Sequence, residues 1–140
     1  MHKTLPILGA VLGFGLAANG LYMLANPANW YFLVPGVITT GPFNQHFLRD
    51  IGLIYLMTGA ALAVGAARPK DRAVLWTAAA LWHAGHACFH FWEVSVGICG
   101  PSALARDFPA VTLPTLVMLA LAAWSVRERM AGREMGALPR

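Results

Sequence analysis

Charge is what this 140-residue chain has least of: Asp, Glu, Lys and Arg make up 11% of it, against about one quarter in an ordinary soluble domain. Hydrophobic residues make up 58%, more apolar surface than a soluble chain of this size can readily hide. Cysteine is almost absent. Cys88 and Cys99 are too few for a disulfide framework and lack the paired spacing of a zinc knuckle. No Ser or Cys nucleophile stands beside the histidines, because Cys88 falls nearly opposite His90 on a helical wheel and reads as packing, which argues against acyl transfer. There is no internal repeat of the kind that marks inverted-repeat transporters. The net charge of +4 does not imply nucleic acid either, since the basic residues lie in short clusters between apolar runs, without interleaved aromatics or a nucleic-acid motif.

What is present is a series of apolar runs at bilayer length, about 20 residues. The chain reads as an all-α, four-helix transmembrane bundle with spans at residues 5–25, 47–67, 73–98 and 108–126, and a polar cytoplasmic tail at 127–140. Met1-His2-Lys3 resembles a signal-peptide n-region, but the run continues through Leu21-Tyr22-Met23-Leu24 without a small-x-small cleavage site, so the first span stays. Gly52, Gly59 and Ala63 give the second span a side that a neighbour can approach closely. Pro109 opens the fourth span, and Pro114 is expected to kink it. Between the first two spans, Asn26-Pro27, Pro35-Gly36 and Gly41-Pro42 mark a long loop. Its Trp30, Tyr31, Phe32 and Phe43, with no charge among them, suit either an interfacial anchor or a lid. Residues 97–107 form a second loop.

Short loops rich in Lys and Arg stay on the cytoplasmic side. Lys3, Arg68, Lys70, Arg72, Arg127, Arg129, Arg133 and Arg140 fall on one side, and only Arg49 and Arg106 on the other. Both termini are therefore expected in the cytoplasm of a bacterial-type inner membrane, with the two longer loops outside.

The polar residues that remain are concentrated. His83, His86, His90 and Glu93 follow spacings of three, four and three, one narrow stripe on a helix. His46 and Asp50, four apart at the outer end of the second span, are expected to face His90 and Glu93 across an antiparallel pair, with Met57 further down that side. Ionisable groups at the bilayer centre cost about 2.5–3.5 kcal/mol each on insertion scales, so they normally turn inward and toward one another. Imidazole and carboxylate together suit zinc, copper, iron or manganese. The expected metal site is His46, Asp50, His86, His90 and Glu93, with His83 deeper and Arg49, Met57 and Asn19 in support. Metal-assisted redox or hydrolytic chemistry would follow. The alternatives are a proton or metal-ion relay, a haem for which only His46 or Met57 could serve opposite the histidine helix, and a hydrogen-bonded network that merely fixes helix register in an accessory subunit. Beyond the lipid bilayer, the expected partners are further copies of the chain or a larger membrane complex.

Trp30-Tyr31-x-x-x-Pro35-Gly36, Thr40-Gly41-Pro42-Phe43-Asn44-x-His46-Phe47-x-Arg49-Asp50-x-Gly52 and His86-x-x-x-His90-x-x-Glu93 resemble motifs of a group of small four-helix bacterial membrane proteins of unassigned activity. Size and helix layout are also distantly similar to DoxX-like membrane proteins, some of which accompany quinone-linked oxidoreductases. Neither resemblance supplies a catalytic residue, and a shared fold does not carry function.

Overall fold

A computed structural model describes residues 4–136, and its regular structure is entirely helical. In chain order the helices are α1 (Thr4–Ala25), α2 (Pro27–Leu33), α3 (Gln45–Ala67), α4 (Pro69–Ser95), α5 (Ser102–Asp107) and α6 (Leu113–Gly136). Thr4–Ala25, Gln45–Ala67 and Ser102–Glu134 are each long and apolar enough to cross a membrane. At 27 residues α4 is the longest helix, yet it is not among these. Its three imidazoles and Glu93 dilute an otherwise apolar run, so the expected third span is the one that length and composition alone do not carry.

Both expected loops contain helix. Asn26-Pro27 starts α2 rather than breaking the chain: the Asn26 side chain accepts a hydrogen bond from Asn29 N, and Pro27 occupies the first turn, where its missing N–H costs nothing. Trp30 Nε1 donates to Asn19 Oδ1 at 2.9 Å, and Asn29 Nδ2 to the Tyr22 hydroxyl at 2.7 Å, so α2 is tied back onto α1. Tyr31 is buried with Met23 and Leu48, and its hydroxyl donates to Gly41 O at 2.6 Å. In the second connection, α5 runs into a π turn at Phe108–Thr112 and then α6. Pro109 and Pro114 each remove an N–H donor within six residues, and the wider turn absorbs the interruption.

The α1–α3 pair is held by backbone approach. A Cβ on Gly59 would lie 2.5 Å from Gly13 O, and one on Gly20 would lie 2.5 Å from Gly52 O. Glycine is required at both crossings, as close helix contact in an apolar medium demands. The main core gathers Leu16, Leu62, Trp76, Met118 and Leu121 from α1, α3, α4 and α6. Trp76 fills the space left beside Gly9 and Gly65, and its indole N–H donates to Leu62 O at 3.0 Å.

Arg72 closes this end. It is 6% exposed, lies against the rings of Trp76 and Trp124, donates to the carbonyls of Gly65 and Ala66, and pairs with Glu128 at 3.2 Å. Glu128 belongs to α6, which continues to Gly136 where the sequence reads as a polar tail from residue 127.

Candidate functional site: a histidine column between α3, α4 and α5

Because α4 places His83, His86, His90 and Glu93 on one side, the stripe turns toward the protein, with His83 and Glu93 buried and His86 and His90 half-buried. His83 is the deepest. Its Nε2 lies 3.2 Å from the Thr58 hydroxyl on α3, which also donates to Ile54 O. Thr115 on α6 donates to the carbonyl of His83 at 3.3 Å. Tyr55 and Trp82 meet both inner imidazoles: Tyr55 is edge-on to His83 and His86, while Trp82 stacks on His86 with 5.2 Å between centroids. His86 and His90 follow, edge to face at 4.8 Å.

The column ends on an ion pair. His90 Nδ1 lies 3.1 Å from Asp107 Oδ2, and Arg106 donates to both oxygens of the same carboxylate at 2.7 and 3.1 Å. As an ion-paired carboxylate Asp107 only accepts hydrogen bonds, so Nδ1 of His90 is the protonated nitrogen and Nε2 is left free. The Arg106 guanidinium rests against Gly36 in the first connection, which has φ +86° and no room for a side chain. Three elements thus meet in a single file of polar groups: Thr58 from α3, His83, His86 and His90 from α4, and Asp107 and Arg106 from α5.

The other expected ligands lie elsewhere. His46 and Asp50 do pair, at 3.3 Å, but their side chains are 88% and 54% exposed. Leu53 and Met57 continue that outward stripe, Met57 being 69% exposed. The cause is the glycine packing. Gly52 and Gly59 turn one side of α3 to α1, Tyr55 and Thr58 turn the adjoining side to α4, and the stripe of His46, Asp50, Leu53 and Met57 is diametrically opposite. His46 and Met57 therefore do not stand opposite the histidine helix, as a haem between the two would require.

Arg49 does not support the histidines; it donates to Leu24 O at 3.2 Å, satisfying a carbonyl at the end of α1. Asn19 serves the α1–α2 contact. Glu93, although buried, makes no side-chain hydrogen bond or ion pair among the described residues, and its backbone carbonyl receives the N–H groups of Ile98 and Cys99. Cys88 is on the side of α4 away from the column but is exposed there rather than packed. Among the described residues no three His, Cys, Asp or Glu side chains are grouped so as to hold a metal ion.

Sequence reasoning missed Asp107, Thr58, Tyr55 and Trp82. In the sequence Asp107 is one of six acidic residues and a possible partner of Arg49, next to Arg106 in a stretch that reads as a loop. Tyr55 and Thr58 are three apart on α3 and could have been found by following the side of that helix next to its glycines. Comparison with protein-family models, with curated proteins and with solved structures finds no match to this chain.

Proposed function

We propose that this chain is an integral membrane protein, with α4 as a fourth crossing, in which the column from Asp107 to His83 relays protons between one membrane face and the interior. The observation that carries this reading is the file itself. An imidazole accepts a proton on one nitrogen and releases one from the other, so rings in series pass protons, whereas metal ligation requires donors converging on a point. His90, with Nδ1 held by Asp107, keeps Nε2 for exchange, and its ring meets that of His86. Below His83 the core of Leu62, Trp76 and Met118 is fully buried, and the Trp76 N–H is already engaged. The relay is therefore open at one end and plugged at the other, as suits a subunit that protonates or deprotonates a bound partner or substrate at mid-membrane. Charge asymmetry supports an orientation with the Asp107 end outside and Arg72, the basic turn and the tail inside a bacterial-type inner membrane.

The test is isotope-edited imidazole spectroscopy in vesicles whose two sides are set to different pH. His86 should follow the pH on the Asp107 side, and Asp107→Asn or His90→Phe should slow its exchange on the order of tenfold. Steady proton leak through vesicles of the single chain would contradict the plug.

A second reading is favoured by the same His90–Asp107 pair, because a carboxylate on one imidazole nitrogen is how proteins orient the other toward a metal. His86 and His90 would supply two donors to zinc, copper, iron or manganese, and the remaining positions would fall to substrate or a second protein. Stoichiometric metal that copurifies without chelators and is lost in both His86→Ala and His90→Ala selects this reading over the relay.

A further inference from the structure

A groove of about 550 Å³ runs between α4 and α6 at the end of the molecule remote from Asp107, on the outside of the bundle. Its floor is apolar: Ala73, Val74, Ala78 and Leu81 on α4, and Val126 and Met130 on α6. Arg129 and Arg133, four apart and therefore on one side of α6, form its rim. Two contacts give the register of these antiparallel helices: Arg72 with Glu128, and the His83 carbonyl with Thr115. On that register Arg129 is level with Lys70 and Asp71 in the first turn of α4, and Arg133 lies beyond its start. Long helical side chains lean back toward their own N-terminus, which carries both guanidinium groups over the groove.

Neither arginine makes an ion pair among the described residues, although Asp71 is level with Arg129 on that register. Glu128 is taken by Arg72, and none of the groove residues is acidic. Within the apolar floor, between Val74 and Ala78, lies Thr77, whose hydroxyl is buried and lacks a hydrogen-bond partner among the described residues. A threonine inside a helix ordinarily bonds back to its own turn. This one does not, and it lines the groove.

A cationic rim at the end of an apolar trough matches the anionic headgroup and the acyl chain of a phospholipid. We infer that the groove is a binding site for one acidic phospholipid, with Arg129 and Arg133 on the phosphate and an acyl chain against Val74, Ala78 and Leu81. The basic residues expected at the cytoplasmic face meet the leaflet in which acidic lipids carry the negative surface potential. The inference depends on membrane embedding and not on the histidine relay.

The experiment is native mass spectrometry of the full chain released from nanodiscs that contain phosphatidylcholine and phosphatidylglycerol in equal amounts. Each arginine near an anionic headgroup favours it roughly fivefold, so one retained phosphatidylglycerol, preferred on the order of 30-fold over phosphatidylcholine, is expected. Arg129→Gln with Arg133→Gln should bring that preference close to one. Arg127→Gln, outside the groove, should leave it intact. Ala78→Phe, which fills the trough without touching the charges, should reduce retention of either lipid. Equal retention of the two lipids by the parent chain, or a preference unchanged in the double arginine variant, overturns the site. Both arginines are exposed, so that variant decides the question even if Ala78→Phe does not fold.

Discussion

His90 and Asp107, seventeen residues apart, meet at 3.1 Å between Nδ1 and a carboxylate oxygen, and the guanidinium of Arg106 occupies the other side of that carboxylate. The pair joins α4 to α5 where His90 meets a carboxylate from the second connection.

Asp107→Asn keeps the shape of the side chain and removes its charge. Hydrogen bonds to charged groups contribute about 1.5–3 kcal/mol, and partial exposure here brings the expected loss to the lower end, about 1–2 kcal/mol. Nitrogen chemical shifts of His90 should change from a single Nδ1-protonated form to a mixture of tautomers. An unchanged spectrum would show that Asp107 does not set the ring.

Gly36→Ala introduces a Cβ where the Arg106 guanidinium lies, at a backbone angle of φ +86° that L side chains rarely adopt. The expected cost is about 1–3 kcal/mol, and the disturbance should reach α5. Hydrogen exchange in residues 102–107 should accelerate in this variant and not in Gly97→Ala, where the angle is also positive but no atom lies nearby.

The glycines of α1 offer a direct contrast. Gly13→Val and Gly20→Val would drive side chains into the backbone of α3, whereas Gly15→Val enters open space. Denaturation in mild detergent should find the first two largely unfolded and the third within about 1 kcal/mol of the parent chain.

Arg72→Met leaves Glu128 without its partner and frees the carbonyls of Gly65 and Ala66. Breaking one side of a buried, hydrogen-bonded charge pair costs about 3–5 kcal/mol, reduced here because Glu128 is half-exposed. Arg72→Lys should recover only part, since an ammonium cannot lie flat between Trp76 and Trp124. Thermal unfolding of the three chains should rank them parent, Lys, Met.

The sequence made the long helices legible because hydrophobic runs of bilayer length, separated by turn signals and a basic turn, leave little else for the chain to do. The inward direction of the His83–Glu93 stripe was also legible, from spacing and the cost of charge in lipid. The facing side of α3 was not. Both stripes of that helix contain apolar and polar residues, and what selects between them is which glycines reach α1, a property of two helices rather than one. His46 and Asp50 read as part of an interior site because they are ionisable. At the end of α3, where exposure costs little, that argument loses its force, and they pair with each other at the surface. Asn26-Pro27 shows the opposite limit, since the same dipeptide ends one helix and begins the next.

The π turn at Phe108–Thr112 holds one residue more than an α-helical turn would need. Each residue advances a helix by about 100°, so everything before the turn is rotated by that amount relative to everything after it. Asp107 thus owes its meeting with His90 to a phase shift in the chain, independent of its own chemistry. Removing a single residue from that turn would leave every helix its composition and swing the acid away from the imidazole.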